Sequence, residues 1–531
     1  MFIIAFSNSG YLYAQEAGDT ADDPLEVEGD GVVIVPGDDE LAALLTETQH
    51  RGAVVGPLLQ TKWGQGAPYK NMLPAGHRSF CNLVAASQIM KYHNHPVRGK
   101  GKSETYTMKN GAKVPSLNFN ISYDWKNMLT GYRSDGKDST LQQQNAVATL
   151  IYHAGVARGR DFTDGSVKFI WPVVFTTTFG YDKSIQLLYR RFYTDAEWEA
   201  IVKAQLDVGL PVLYNGRNQA KTTNHYVVID GYDNTGKFHI NFGWSGKSDG
   251  WYSLNELKTG TKNYSYHQCI VINIKPDKGG KSTGYEMALT ELIAGKTSIP
   301  QNELFTVNMR MRNNSALDSF PGGQLGVALV DAAGKIIEII GSGSRATLKP
   351  QSTSSSKEVH CIVPAAIKPG QYRMMSVIRP EGGNWNVISR SAIGEGIPNS
   401  LTLTVSAGDA KGGGYGIVLE NFSSEKTIVG QKDKFAVTAK PRNRGADRLT
   451  GQIGAALIDN SGNIVSVIGS KNLGLGAGNQ TTSTITCTVP ATVKSGQYRL
   501  RIVIRPNPND EWRVATLSLP DIPNSIKFEV K

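Results

Sequence analysis

The second half of the chain is written twice. GYEMALTE (284–291) answers to GYGIVLEN (414–421), and LGVALVDAAGKIIEIIGS (325–342) to IGAALIDNSGNIVSVIGS (453–470). CIVPAAIKPGQYRMMSVIRP (361–380) answers to CTVPATVKSGQYRLRIVIRP (487–506), and IPNSLTLTV (397–405) to IPNSIKFEV (522–530). Two tandem copies of one unit must each bury a core of their own. Each copy reads as about seven short alternating strands broken by turns, the pattern of an all-β sandwich of immunoglobulin type. The copies occupy 284–405 and 414–531. Cys361 and Cys487 hold the same position in the two copies, so each is expected inside its own core. Neither copy places His, Cys or carboxylates at ligand spacing. Both read as adhesion, spacer or substrate-docking modules.

At 531 residues the chain is too long for one core. Its 40% hydrophobic and 19% charged content is that of ordinary globular protein. A formal charge of +10 is mild for this length and forms no basic stripe, which argues against nucleic-acid binding. No apolar run is long enough to span a membrane. The opening MFIIAFSNSGYLYAQ has a short apolar stretch without a basic start, as at the tail of a signal peptide. Residues 16–40 are acidic and Gly-rich, so 1–51 is expected to be a signal remnant and acidic linker.

Between 52 and 275 helical periods come first and strand periods second. SFCNLVAASQIMKYHNHP (79–96) is a helix-like run opened by Cys81 and closed by Pro96. STLQQQNAVATLIYHAGVARG (139–159) is a second helix, ended by Gly155 or Gly159. Thr194-Asp195-Ala196-Glu197 is a capping box for a third. LPVLYNG (210–216), NHYVVIDGYD (224–233) and KFHINFGW (237–244) then alternate as strands, with Asn234-Thr235-Gly236 as a hairpin turn. Asp249-Gly250-Trp251-Tyr252 and QCIVINI (268–274) complete the sheet. The expectation is one α+β domain over 52–275, then a linker to 283.

A thiol in the first turn of a helix sits at the positive end of the macrodipole, which favours thiolate. Cys81 stands there; Cys269 reads as strand core. A cysteine nucleophile needs an imidazole partner, a group to orient that ring, and donors for the oxyanion. His225 opens a strand in the β half, and Asn241 on the partner strand is placed to accept the ring N–H. Trp244 and Trp251 are expected to shield that contact. Gln65, in the loop WGQGAPY, can supply an amide donor. His239 on the same hairpin is the rival base. Read singly, each has a plainer counterpart: a buried inert thiol, a strand histidine, a hairpin amide, a loop glutamine. No metal or cofactor is called for.

WGQGAPYKNMLP, CNLVAASQIMKYHNHP, YDWKNML, AVATLIYHAGV, NHYVVIDGYD and HINFGWSGKSDGWY together resemble the streptopain family of secreted bacterial cysteine peptidases. The resemblance spans about 52–275. It implies an α+β papain-like cysteine peptidase domain, here followed by two immunoglobulin-like sandwich domains. It implies Cys81 as nucleophile, His225 as general base and acid, Gln65 in the oxyanion hole and Asn241 orienting the histidine, without metal or cofactor. The implied partners are protein or peptide substrates, and a cell-surface or host protein for the C-terminal modules. Three positions depart from the family pattern. Phe80 precedes the nucleophile in place of Gly, Phe242 replaces a Trp after Asn241, and Asn224 replaces Gly before His225. A long inhibitory prodomain has no counterpart ahead of residue 52. The resulting expectation is a secreted cysteine endopeptidase. The alternative is a catalytically degenerate surface binding or adhesion protein on the same scaffold.

Overall fold

The computed structural model describes residues 54–531 except 75–79, 221, 302, 365, 408–416, 444–448, 477–478, 506–509, 516 and 519–524. The readings made for residues 1–51 lie outside it.

The first body is a helical half packed on an antiparallel sheet. Helix α1 spans Cys81–His93 and α2 Leu141–Ala157. α1 is buried from Cys81 through Met90. It stops because Asn94 turns left-handed (φ 44°) and returns its N–H to the last turn. α2 starts on a capping box, Thr140 with Gln143. Gly159 (φ +61°) follows its end, while Gly155 lies inside the helix. A Cβ at Gly155 would come within 2.9 Å of the Phe162 ring and 3.1 Å of Leu83 Cδ1. That absence lets α2 sit close on α1. Two further helices follow, α3 at Trp171–Thr177 and α4 at Asp195–Asp207. α4 carries both bonds of the Thr194–Glu197 capping box.

The strands are β1 Gln186–Tyr189, β2 Val212–Arg217, β3 Asn224–Tyr232, β4 Phe238–Asn241, β5 Gly250–Tyr252 and β6 Tyr266–Ile272. They form one sheet in the order β1-β6-β2-β3-β4-β5. The register pairs Gly216 with His225 and Val228 with Asn241, and a bulge falls between Ile229 and Gly231. β3 alternates: His225, Val227 and Ile229 point to one face, Tyr226 and Val228 to the other. Val228 belongs to the core formed with α1 and α2, while Val227 and Ile229 pack with α4. The sheet is therefore covered on both faces. α3 and β1 are among the elements absent from the sequence reading. α3 is a seven-residue helix on WPVVFTT, too short and too β-branched to show a helical period.

Each C-terminal copy is a pair of packed sheets. In the first, the strands at 357–362, 304–313, 287–294 and 390–391 form a four-stranded sheet. Those at 298–300, 400–406, 370–380, 323–330 and 336–345 form the second, with 386–387 added on 370–380. Met287, Phe305 and Val307 from one sheet share a core with Leu325, Met374 and Leu403 from the other. The second copy repeats both strand orders. Cys361 and Cys487 are fully buried, and each thiol lies 3.6 Å from the carbonyl two residues before it. Burial pushes the Cys487 thiol up to about 12, as expected for an inert core cysteine.

The first copy is docked on the peptidase-like body. Arg390 Nη1 donates to Glu197 Oε1 at 2.9 Å, and its guanidinium lies 4.6 Å over the Tyr193 ring. Tyr193 in turn donates to Glu286 at 3.3 Å. Ala288 and Ala392 pack in the same core as Trp198 and Ile201.

Candidate active site

α1 begins at Cys81 itself. Phe80 is its N-cap, with no side-chain cap, and the first turn holds no acidic residue. Nothing acidic in that turn offsets the positive end of the helix dipole beside the thiol. Phe80 is buried, and its N–H donates to Gln65 Oε1 at 3.2 Å. That bond brings Gln65 to the residue beside Cys81. The carbonyl end of the amide is turned to Phe80, and the NH2 end is its donor.

Gln65 arrives at the end of a strap, residues 61–65, tied to both halves. Thr61 O accepts from Asn241 Nδ2 (2.8 Å), and Trp63 N donates to Gln88 Oε1 (3.1 Å). Trp63 O accepts from Ser245 N at 3.0 Å. The strap lies so close to the 243–249 loop that a Cβ on Gly64 would sit 2.2 Å from Ser245 Oγ.

Cys81, Val84 and Gln88 share one face of α1 by their spacing. Gln88 Nε2 donates to Asn241 Oδ1 at 2.9 Å, and a Cβ on Gly243 would lie 3.2 Å from Val84 Cγ1. The stripe that starts with Cys81 thus faces residues 241–243. His225 rests on that same segment, with its Nε2 2.9 Å from Phe242 O. A carbonyl only accepts, so Nε2 carries the proton and Nδ1 is left as the basic nitrogen.

The expected bond from His225 to Asn241 is corrected here. Asn241 Oδ1 accepts from Gln88 Nε2 and from Gly243 N (3.0 Å), and its Nδ2 goes to Thr61. The reason is alternation: Asn241 pairs with Val228, so it points to the α1 face, whereas His225 points to the other. The residue that meets the ring is Phe242, one step on, through its backbone.

Aromatic rings enclose the imidazole. Trp244 lies 4.5 Å away by centroid, Tyr264 5.3 Å and Phe242 6.0 Å, the last nearly parallel. Trp251 does not join them; it stands against His239 at 5.3 Å. Burial pulls His225 down to about 4, opposed by its bond to the Phe242 carbonyl and reinforced by Lys262. The imidazole is neutral at pH 7. The rival His239 has another partner: its Nδ1 lies 2.7 Å from the buried Asp230 Oδ1. Sequence reasoning missed Gln88, the Phe242 carbonyl and Tyr264. Only Gln88 left a signal, two helical turns after Cys81.

A helix-borne cysteine, a strand-borne histidine and an amide near the helix start are the parts that a papain-type cysteine-peptidase site uses. Residues 63–252 match the sequence model of the Peptidase C10 family. Streptopain of Streptococcus pyogenes is 31% identical over 257 residues, which cover 42% of this chain and 63% of streptopain. The thiol protease/hemagglutinin PrtT of Porphyromonas gingivalis is 26% identical over 292 residues, 50% of this chain and 33% of PrtT. The solved structure of active interpain A cysteine protease from Prevotella intermedia is 30% identical and covers 46% of this chain and 100% of its own, with a TM-score of 0.38. The chain spans less than two thirds of the length of the curated relatives it matches. It belongs to the Peptidase C10, or streptopain, family.

Proposed function

We propose that this chain is an exported cysteine endopeptidase. The observation that carries the reading is the commitment of His225 Nε2 to Phe242 O while the Cys81 stripe faces the same segment. The ring is oriented and its Nδ1 is basic, and in this reading that nitrogen meets the Cys81 thiol past the 241–243 segment. In the reaction, Nδ1 takes the Cys81 thiol proton as sulfur attacks the scissile carbonyl. The Cys81 N–H and the Gln65 NH2 hold the oxyanion. The imidazolium gives its proton to the leaving amine, leaving a thioester. Water, deprotonated by Nδ1, then releases the acid and the thiol. Because burial keeps the resting imidazole neutral, the thiolate formed beside it is the charge that holds the transferred proton. Asn241 serves by fixing the strap and α1 to β4, not by touching the ring.

The chain divides into 52–275 as peptidase domain and 284–405 and 414–531 as immunoglobulin-type modules, whose ligand class is a surface or host protein. Their repeated two-sheet order supports this division. No helix among the described residues is long and apolar enough to cross a membrane.

The test is mass spectrometry after an irreversible epoxide directed at papain-type thiols. One adduct on Cys81, absent in Cys81→Ala and His225→Ala, is expected. The second reading, a degenerate binding protein, is favoured by Phe80 before the nucleophile and by the low exposure of Cys81, 7%. No adduct on folded wild-type protein would select it.

A further inference from the structure

Phe242 is bonded at both ends of its own backbone. Its carbonyl receives His225 Nε2–H, and its N–H donates to Asp249 Oδ1 at 2.8 Å. Residues 243–248 therefore form a loop whose two feet, Phe242 and Asp249, are joined by a carboxylate. The loop is conformationally costly. Gly243, Ser245, Gly246 and Ser248 all have positive φ, and two of these are not glycine (57° and 66°). Outside bonds hold it: Ser245 N to Trp63 O, and Tyr252 Oη to Ser248 O at 2.7 Å. The loop delivers Trp244 to the imidazole face.

We propose that Asp249 is a positioning residue for His225, acting as a latch that fixes the Phe242 peptide and the Trp244 ring against the imidazole. The inference rests on the peptidase reading for its kinetic consequences, though not for its structural one. The carboxylate is close to Lys62, His239 and Asp230, and its burial raises its pKa, opposed by the Phe242 N–H and by Lys62 and His239. Lys262 is the charged group noted near His225. An acceptor in this place is what the loop needs; a negative charge is not. An amide oxygen at the same position can accept the same N–H.

The test compares wild type, Asp249→Ala and Asp249→Asn, with thermal unfolding to confirm that each is folded. The first readout is the ring N–H of His225 by NMR. A slowly exchanging Nε2–H signal is expected in wild type and Asp249→Asn, and its loss or broadening in Asp249→Ala. The second is kinetic. In Asp249→Ala, kcat on a peptide substrate is expected to fall at least about 10-fold with KM within about 2-fold. The acid limb of kcat/KM should move to lower pH, because the lost carbonyl contact favoured the protonated ring. Asp249→Asn should restore both. An unchanged ring signal and pH profile in Asp249→Ala would overturn the proposal, as would Asp249→Asn behaving like Asp249→Ala. If wild type shows no Cys81-dependent hydrolysis, the peptidase reading falls, and the ring signal still decides the latch.

Discussion

Gln88 and Asn241 meet side chain to side chain at 2.9 Å, 153 residues apart in sequence. Gln88 also holds Trp63 N, so one buried amide ties the Cys81 helix, the strap bearing Gln65 and the strand leading to Phe242. Gln88→Ala leaves Trp63 N without its partner, while Asn241 Oδ1 keeps its bond from Gly243 N. A loss of about 1–3 kcal/mol is expected, from the desolvation cost of the unpaired N–H. Thermal unfolding should show a drop of several degrees, with peptide hydrolysis reduced beyond the folded fraction.

In the proposed reaction Gln65 acts through its NH2 end. Gln65→Ala is expected to lower kcat by about 10²–10³ with little change in KM, the scale of one oxyanion donor. Steady-state kinetics on a peptide ester and on the matching amide would check this. An unaltered kcat would remove Gln65 from the oxyanion hole.

Gly64 is needed as glycine because of its neighbour. Gly64→Ala should push Ser245, and with it Trp244, away from His225, lowering activity. Adding Ser245→Gly removes the clashing hydroxyl and suits the left-handed backbone at 245. Recovery of activity in the double variant is the expected result, measured as a double-mutant cycle.

His93, His153 and His225 are all held at about 4 by burial, below the ordinary 6.5. An unfolded chain therefore binds more protons than the folded one between these values. The stabilisation is full above pH 6.5 and is lost as pH falls toward 4, on the order of 3 kcal/mol for each histidine. Chemical denaturation of the full chain across this range should show the decline. His153→Phe should flatten it, since one of the groups that drive it is then absent.

Arg390 anchors the first sandwich on the peptidase part. Arg390→Met leaves Glu197 and Glu286 without their cation, at a cost of about 3 kcal/mol for a broken buried pair. Calorimetry should show one shared transition separating into two.

Much of this was legible in the chain. The duplication made the two C-terminal units visible as equals, and both keep the same strand orders, with Cys361 and Cys487 in the two cores. The Thr194 capping box and the Asn234–Gly236 hairpin are short-range signals, and short-range signals survive in sequence. Asn241 was a different matter. Its residue type suited an imidazole partner, but whether it faces the ring depends on which strand face it takes. The β3–β4 register, with its bulge, decides that. The acceptor proved to be a backbone carbonyl, which no residue type announces. α3 escaped for a related reason: tertiary burial of Trp171 and Phe175 sustains a helix that local propensity does not.

The Arg390 junction makes the first sandwich a mount and not a tether. A flexible linker would let the cleft sample every orientation within its length. Here Ala288 and Ala392 share a core with Trp198, so the sandwich and the cleft turn together. A surface that gripped the first sandwich, as proposed, would also set the compass bearing of Cys81. Under the proposed function, substrates would then be sorted by where they stand around the point of attachment before any side chain reaches Cys81.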